Sequence, residues 1–284
     1  MRSKDHPQGK WGTVMKKQWL ISGTLLVLLS VFLCVSLGFA EAKWPADPGK
    51  NLKKNGKLQL DVSNASEGYF LARISKSSKK RMKLRVKKGK EMLTYDLNGK
   101  AEFEVFPLQL GDGKYEILLY EQVSGKKYSS AGKIGISVKL SDPEVSFLYP
   151  NQYVNYTPET EPVGKADELC KGLIGNDAYE TVRKFMSTNF HYDFVKALTI
   201  KAGVLPDIEG SYDKRMGVCQ DLSAITCCML RTQGVPARLV IGYADTSYHA
   251  WVEFNYEGKK YFFDPTAAVN GISRVSEYSV ERFY

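Results

Sequence analysis

Between Gly217 and Tyr243 the chain reads GVCQDLSAITCCMLRTQGVPARLVIGY, and no other stretch narrows the possible folds so far. From Cys219 to Gln233 the apolar residues Leu222, Ile225, Met229 and Leu230 recur on one helical face. Gly234 and Pro236 end that helix, because glycine accepts the left-handed position after a helix and proline cannot continue the ladder. RLVIGY then reads as a strand that Arg238 opens. Gly217 permits a sharp turn into the helix. Cys219 therefore falls in the first turn, where free N–H groups and the helix dipole favour a thiolate over a thiol. Cys227 and Cys228 lie two turns further in, away from that end.

A thiolate nucleophile needs a base, and the base needs an orienting group. The sequence holds three histidines, His6, His191 and His249. YHAWVEF (248–254) alternates as a strand, NYEGKK turns, and YFFDPT (261–266) is the returning strand. In a hairpin with a two- or four-residue loop the numbers of facing residues sum to an odd value, as 249 and 264 do. His249 and Asp264 thus emerge on one face, directly opposite or one diagonal step apart. Asp264 would then fix the tautomer of His249 and stabilise its imidazolium. Each residue alone has a plainer reading: a small core cysteine, a structural histidine, an aspartate capping a turn before proline. The three in this order are far harder to obtain by accident.

The remainder of the chain is organised differently. Residues 18–40 carry no charge and follow Lys16 and Lys17. That run is long enough to span a bilayer, with the rest of the chain outside the cytoplasm. AEA at 40–42 offers small residues for cleavage. Residues 1–42 are therefore expected to be a signal peptide or membrane anchor, with Cys34 as membrane filler, and the protein to be secreted or held at the cell surface. From 43 to 142, short alternating runs such as KLQLDVS, GYFLARIS, RMKLRVKK and KYEILLYEQ, separated by NGK, GDGK and VSGKK, predict an antiparallel sandwich of immunoglobulin-like type. Residues 143–164, rich in proline, read as a linker, and 165–284 as the domain that carries the chemistry. Within it, NDAYETVRKFMSTN predicts a helix capped by Asn176.

Net charge is +9, but its distribution matters more: residues 43–150 hold 21 basic and 12 acidic side chains, and 151–284 hold 14 and 17. The excess concentrates in KSSKKRMKLRVKKGK (76–90). Outside a membrane such a stripe could meet an anionic cell-wall polymer or a membrane surface. Its plainer reading is a solvated hairpin whose lysines blunt a sheet edge. Nucleic acid is not an expected partner, because no stacking aromatic motif stands beside the stripe. Nor is a structural disulfide expected among Cys170, Cys219, Cys227 and Cys228.

The G-x-C-x-D-x-A helix start, the RxxGxPAR helix exit, the strand ending in GY, the HAW strand and the DPT strand end together resemble the transglutaminase-like (papain-related) superfamily over about residues 165–270. The resemblance implies a papain-like α+β catalytic core, with Cys219 as nucleophile, His249 as base and Asp264 as orienter. It also resembles secreted bacterial members that carry an immunoglobulin-like domain first. Animal transglutaminases use a tryptophan upstream of the cysteine to hold the oxyanion, whereas here no tryptophan lies between Trp44 and Trp251. Tyr192, in FHYDF, is the candidate donor in its place, the alternative being a core tyrosine. No dense acidic loop marks a calcium site, and no cofactor or metal is expected. Arylamine acetyltransferases share the Cys–His–Asp order, but their double glycine before the cysteine is replaced here by Met216 and Gly217. The expected activity is thiol acyl chemistry on a protein or peptide amide. Hydrolysis comes first, because it needs no second-substrate site. Transamidation of protein glutamine is the alternative, and an idle triad on a surface scaffold is the reading from another class.

Overall fold

The computed structural model describes residues 42–272 and 275–284; the apolar run at 18–40 lies outside them. Among the described residues no helix is long and apolar enough to cross a membrane. Eight strands come first: β1 (Leu52–Asn55), β2 (Leu58–Asp61), β3 (Tyr69–Ile74), β4 (Met82–Lys88), β5 (Glu91–Leu97), β6 (Glu104–Pro107), β7 (Gly113–Ser124) and β8 (Lys127–Val138). They form two antiparallel sheets, in the orders β1-β2-β3-β6 and β5-β4-β7-β8. Alternation builds their interior. Met82, Leu84 and Val86 of β4 are buried, as are Leu58 and Leu60 of β2 and Phe106 of β6. Tyr95 of one sheet meets Phe106 of the other with ring centroids 5.5 Å apart. Each such side chain contributes about 1.5–3 kcal/mol over its exposed state.

The basic segment 76–90 becomes an exposed turn, the strand β4, and a second turn at Gly89. Its lysines do not guard an edge: β4 is an interior strand, flanked by β5 and β7. Lys83, Arg85 and Lys87 instead leave the sheet perpendicular to its plane, because successive side chains alternate between faces. Part of that charge is met locally, by Asp96 at 2.8 Å from Lys83 and by Glu116 at 3.7 Å from Lys87.

Residues 143–160 carry the chain onward with Val145, Phe147, Tyr149, Val154 and Tyr156 buried. The helices α1 (Glu161–Leu169) and α2 (Gly175–Asn189) follow, then β9 (His191–Tyr192), α3 (Phe194–Thr199), α4 (Ile208–Asp213), β10 (Met216–Gly217) and α5 (Cys219–Thr232). The helix predicted from NDAYETVRKFMSTN is present but starts two residues earlier than an Asn176 cap allows; Ile174 occupies the cap, with no side-chain cap bond. After α5 come β11 (Ala237–Ala244), β12 (Ser247–Tyr256), β13 (Lys259–Phe263), the short α6 (Pro265–Val269) and β14 (Tyr278–Phe283). Their antiparallel sheet has the order β13-β12-β11-β14.

Helix α5 is the buried element around which this half is built. Leu222, Ile225, Met229 and Leu230 are all inaccessible, as the spacing predicts, and α5 packs against β11 and β12. Its last turn holds Arg231, also inaccessible. The guanidinium donates to the carbonyls of Ala237 (2.8 Å), Tyr149 (2.7 Å) and Tyr284 (2.9 Å). One side chain thereby fixes the helix exit, the connecting segment and the end of β14. Arg238 pairs with Glu144 at 2.5 Å and lies over the Phe147 ring. The described residues belong to one compact unit.

Candidate active site

Cys219 is the first residue of α5, so its backbone N–H is one of those the helix itself leaves without an acceptor. The turn into the helix is held by Asp221, two positions on and fully buried. Its carboxylate accepts from the N–H groups of Val218 (3.0 Å) and Asp207 (2.9 Å) and pairs with Lys196 of α3 at 2.7 Å. Gly217 is required by this closeness: a Cβ there would stand 2.8 Å from Asp221 Cβ and 3.2 Å from Ser211 Cβ.

The hairpin β12–β13 carries His249 and leads directly into Asp264. Tyr256 faces Lys259 and Val252 faces Phe263, a two-residue turn whose register sets Asp264 one diagonal step from His249. His249 Nε2 lies 2.8 Å from Asp264 Oδ2. That contact occupies Nε2 and leaves Nδ1 free of Asp264, and Cys219 stands near enough to bias the charge of the ring. Burial works against charging His249, but the hydrogen bonds and charges of Asp264 and Cys219 outweigh it and raise the imidazole to about 9. Burial likewise works to raise the Asp264 carboxyl, yet His249, the Ala267 N–H and Tyr278 overcome it and hold the group below its ordinary range.

Asp264 fills both roles its sequence context offered. Oδ1 caps α6 through the Ala267 N–H at 3.0 Å, while Oδ2 orients His249. The Tyr278 hydroxyl also donates to Oδ2, at 2.8 Å, and its ring packs edge-on against Trp251 with centroids 5.1 Å apart. Sequence reasoning missed Tyr278. It lies in a mostly exposed terminal strand with no hydrophobic alternation to flag it. Trp251 is fully buried and donates to Glu253 at 3.0 Å.

Tyr192 comes back to the cysteine through a two-residue parallel bridge in which it pairs with Gly217. Burial, then the neighbouring Cys219, raises its hydroxyl above the usual phenol value. Tyr192, Cys219 and His249 line one cavity of about 520 Å³, together with Ile200, Val204, Tyr153, Tyr248 and Arg282. The remaining described thiols are elsewhere: Cys170, Cys227 and Cys228 are buried and unpaired. Desolvation pushes Cys170 to about 11 and Cys227 to about 12. Position and environment both set Cys219 apart. No cluster among the described residues has the makeup of a metal site.

A cysteine opening a buried helix thus shares a cavity with a strand histidine that is hydrogen-bonded to a buried aspartate, residue types that nucleophilic thiol chemistry can use. Residues 160–265 match the family profile described as the transglutaminase-like superfamily. No curated protein matches the chain. Among solved structures, it is similar to a candidate cysteine protease from Cytophaga hutchinsonii at 13% identity and a TM-score of 0.39, covering 82% of this chain and 90% of that one. It is similar also to a protein named as a TGase, at 19% identity and TM-score 0.33, over 42% of this chain and 34% of that one. Red sea bream transglutaminase shares 15% identity at TM-score 0.28, over 70% of this chain and 48% of its own.

Proposed function

We propose that the chain is a cysteine enzyme that forms a thioester from a protein or peptide amide and releases the acyl group to water. The observation that carries this reading is the His249–Asp264 hydrogen bond placed on the same cavity as Cys219 at the start of its helix. Cys219 Sγ attacks the carbonyl carbon with His249 Nδ1 holding the thiol proton. The oxyanion is met by the Cys219 N–H and by the Tyr192 hydroxyl. The proton passes from His249 to the amine, the C–N bond breaks, and the thioester remains. Water, deprotonated by the same imidazole, then attacks it and restores the thiol. An amine entering in place of water gives transamidation by the same steps.

Export belongs to the same proposal, supported by the uncharged run 18–40 behind Lys16 and Lys17. So does the division into a signal or anchor (1–42), an immunoglobulin-like sandwich (43–142), a connecting segment (143–164) and the catalytic domain (165–284). Attraction of residues 76–90 to an anionic polymer or membrane surface is a further part of it, supported by the exposed lysines at 76, 79 and 80. The test is a purified full chain treated with iodoacetamide near neutral pH and, separately, with glutamine- and lysine-containing peptides followed by mass. Preferential alkylation of Cys219 together with cleavage, deamidation or cross-linking is the expected result. Absence of both leaves a scaffold with an idle triad.

A further inference from the structure

β5 and β14 are each the outermost strand of their sheet. Between them lies a second cavity of about 470 Å³, bordered by Glu91 to Thr94 on one side and Glu281 to Tyr284 on the other. Consecutive residues of a strand point to opposite faces. A cavity bordered by four consecutive residues of each chain segment therefore meets both strands edge-on, where backbone N–H and C=O groups have no neighbouring strand. At its inner end Gln109 donates to the Phe283 carbonyl.

This cavity adjoins the site. Tyr153 and Arg282 line both it and the Cys219 cavity, so those two side chains form the boundary between them. Tyr153 is stacked on Tyr284, centroids 3.5 Å apart, and Arg282 donates to the Tyr248 hydroxyl on the Cys219 side. The lining carries Glu91, Glu281 and Arg282 together, a mixed charge that favours neither a polyanion nor a polycation. What two strand edges recognise is main chain.

We propose that the acyl substrate is an extended polypeptide that leaves the Cys219 cavity across Tyr153 and Arg282 and lies as an added strand between the edges of β5 and β14. The sandwich is then part of the substrate-binding surface. This inference rests on the thiol acyl reading of Cys219. Four residues of strand span roughly 13 Å, so a substrate must continue about that many residues beyond the scissile amide to fill the cleft.

The experiment compares randomised four-residue and twelve-residue peptide pools on the full chain, with products read by mass. Turnover of the twelve-residue pool is expected to exceed that of the shorter pool at least tenfold. Thr94→Trp, an exposed position in the outer cavity, should erase that advantage while leaving the short-pool rate and the iodoacetamide reactivity of Cys219 unchanged. Met92→Arg serves the same purpose should Thr94→Trp fail to fold. Equal turnover of both pools, or an advantage that survives a folded blocking variant, overturns the inference. If neither pool is processed, the acyl reading fails and the cleft is judged by binding. Fluorescence anisotropy of the twelve-residue pool on Cys219→Ala must then weaken at least tenfold with Thr94→Trp, and equal binding overturns the cleft.

Discussion

The interior of the sandwich and the interior behind Cys219 are made of different materials. Between β1 and β8 the buried polar side chains are Asp61 and Gln109; apolar residues at every second position do the rest. Around α5 the buried set includes Asp221, Ser223, Thr226, Arg231, Thr232 and Asp264. Burying such groups costs stability unless each finds its partners, and here Asp221, Arg231 and Asp264 each have three. An alternating apolar core tolerates exchange of one residue for another of similar volume. A network of this kind holds particular atoms in particular places, which is what a reacting thiol and its base require.

Removing single groups tests that contrast most sharply at the relay. Cys219→Ala is expected to abolish acyl transfer with the fold intact, and retention of half the wild-type rate would sink the assignment. Asp264→Asn should lower turnover by roughly three to four orders of magnitude. The amide oxygen can still cap α6, so the loss reports the state of His249 rather than unfolding. Circular dichroism and thermal midpoints of the variant check this.

Tyr192 should show a smaller effect of the same kind. Tyr192→Phe is expected to reduce kcat by roughly ten- to a thousandfold with little change in KM, because its hydrogen bond strengthens as the oxyanion develops. Unchanged kcat with a lowered melting temperature would make it a packing residue.

The two regions also differed in how far the sequence could be read. Seven of the sandwich strands follow from local alternation and turn residues, and only the exposed β1 escaped. In the other half α5, the β12–β13 hairpin and the His249–Asp264 diagonal were legible, since each depends on a few neighbouring residues. Missed were Tyr278, the three-carbonyl clasp of Arg231, and the tie between Asp221 and Lys196. All three join different elements rather than residues of one helix or one hairpin, and no period of two or 3.6 records such a contact. The position of β4 was misjudged for a related reason: strand order in a sheet is a property of the whole topology, so a lysine-rich strand looks the same at an edge or in the middle.

Stability should separate the regions next. Arg231→Ala leaves three buried carbonyls without a donor and a void behind α5, and should cost at least about 3 kcal/mol in urea unfolding. Leu84→Met, a volume-conserving change in the sandwich, should cost less than about 1.5 kcal/mol. Comparable losses would mean that the polar interior is no more exacting than the apolar one.

The pH dependence of stability gives a finer measure. The folded-state value of His249, about 9, lies above its ordinary 6.5, so across that interval the folded chain keeps a proton the unfolded chain has released. Its contribution is full below pH 6.5 and is lost as pH rises through 9. The depressed Asp264 works in the other direction: its contribution is present above the ordinary carboxylate value and disappears as pH falls through the folded one. Urea midpoints should therefore decline between pH 6.5 and 9 in the wild type, and His249→Gln should flatten that decline. An identical slope in both proteins would remove the relay as its cause.

The smallest effect is expected on the outer face of the sandwich, where charges are exposed and individually worth little to the fold. Reversal of Lys79, Lys80 and Lys87 to glutamate should change stability by about 0.5 kcal/mol per site or less, the largest share coming from Lys87, which loses its partner Glu116. Acyl transfer should be unaffected, since none of the three lines the Cys219 cavity. Association with anionic vesicles or wall polymer is where the reversal should register. Attraction of exposed charges is screened over about 10 Å at 0.1 M salt, so binding through this face should weaken steeply with added salt and vanish in the triple variant. Binding that ignores salt, or survives the reversal, would assign the face no partner and leave its lysines to solvation alone.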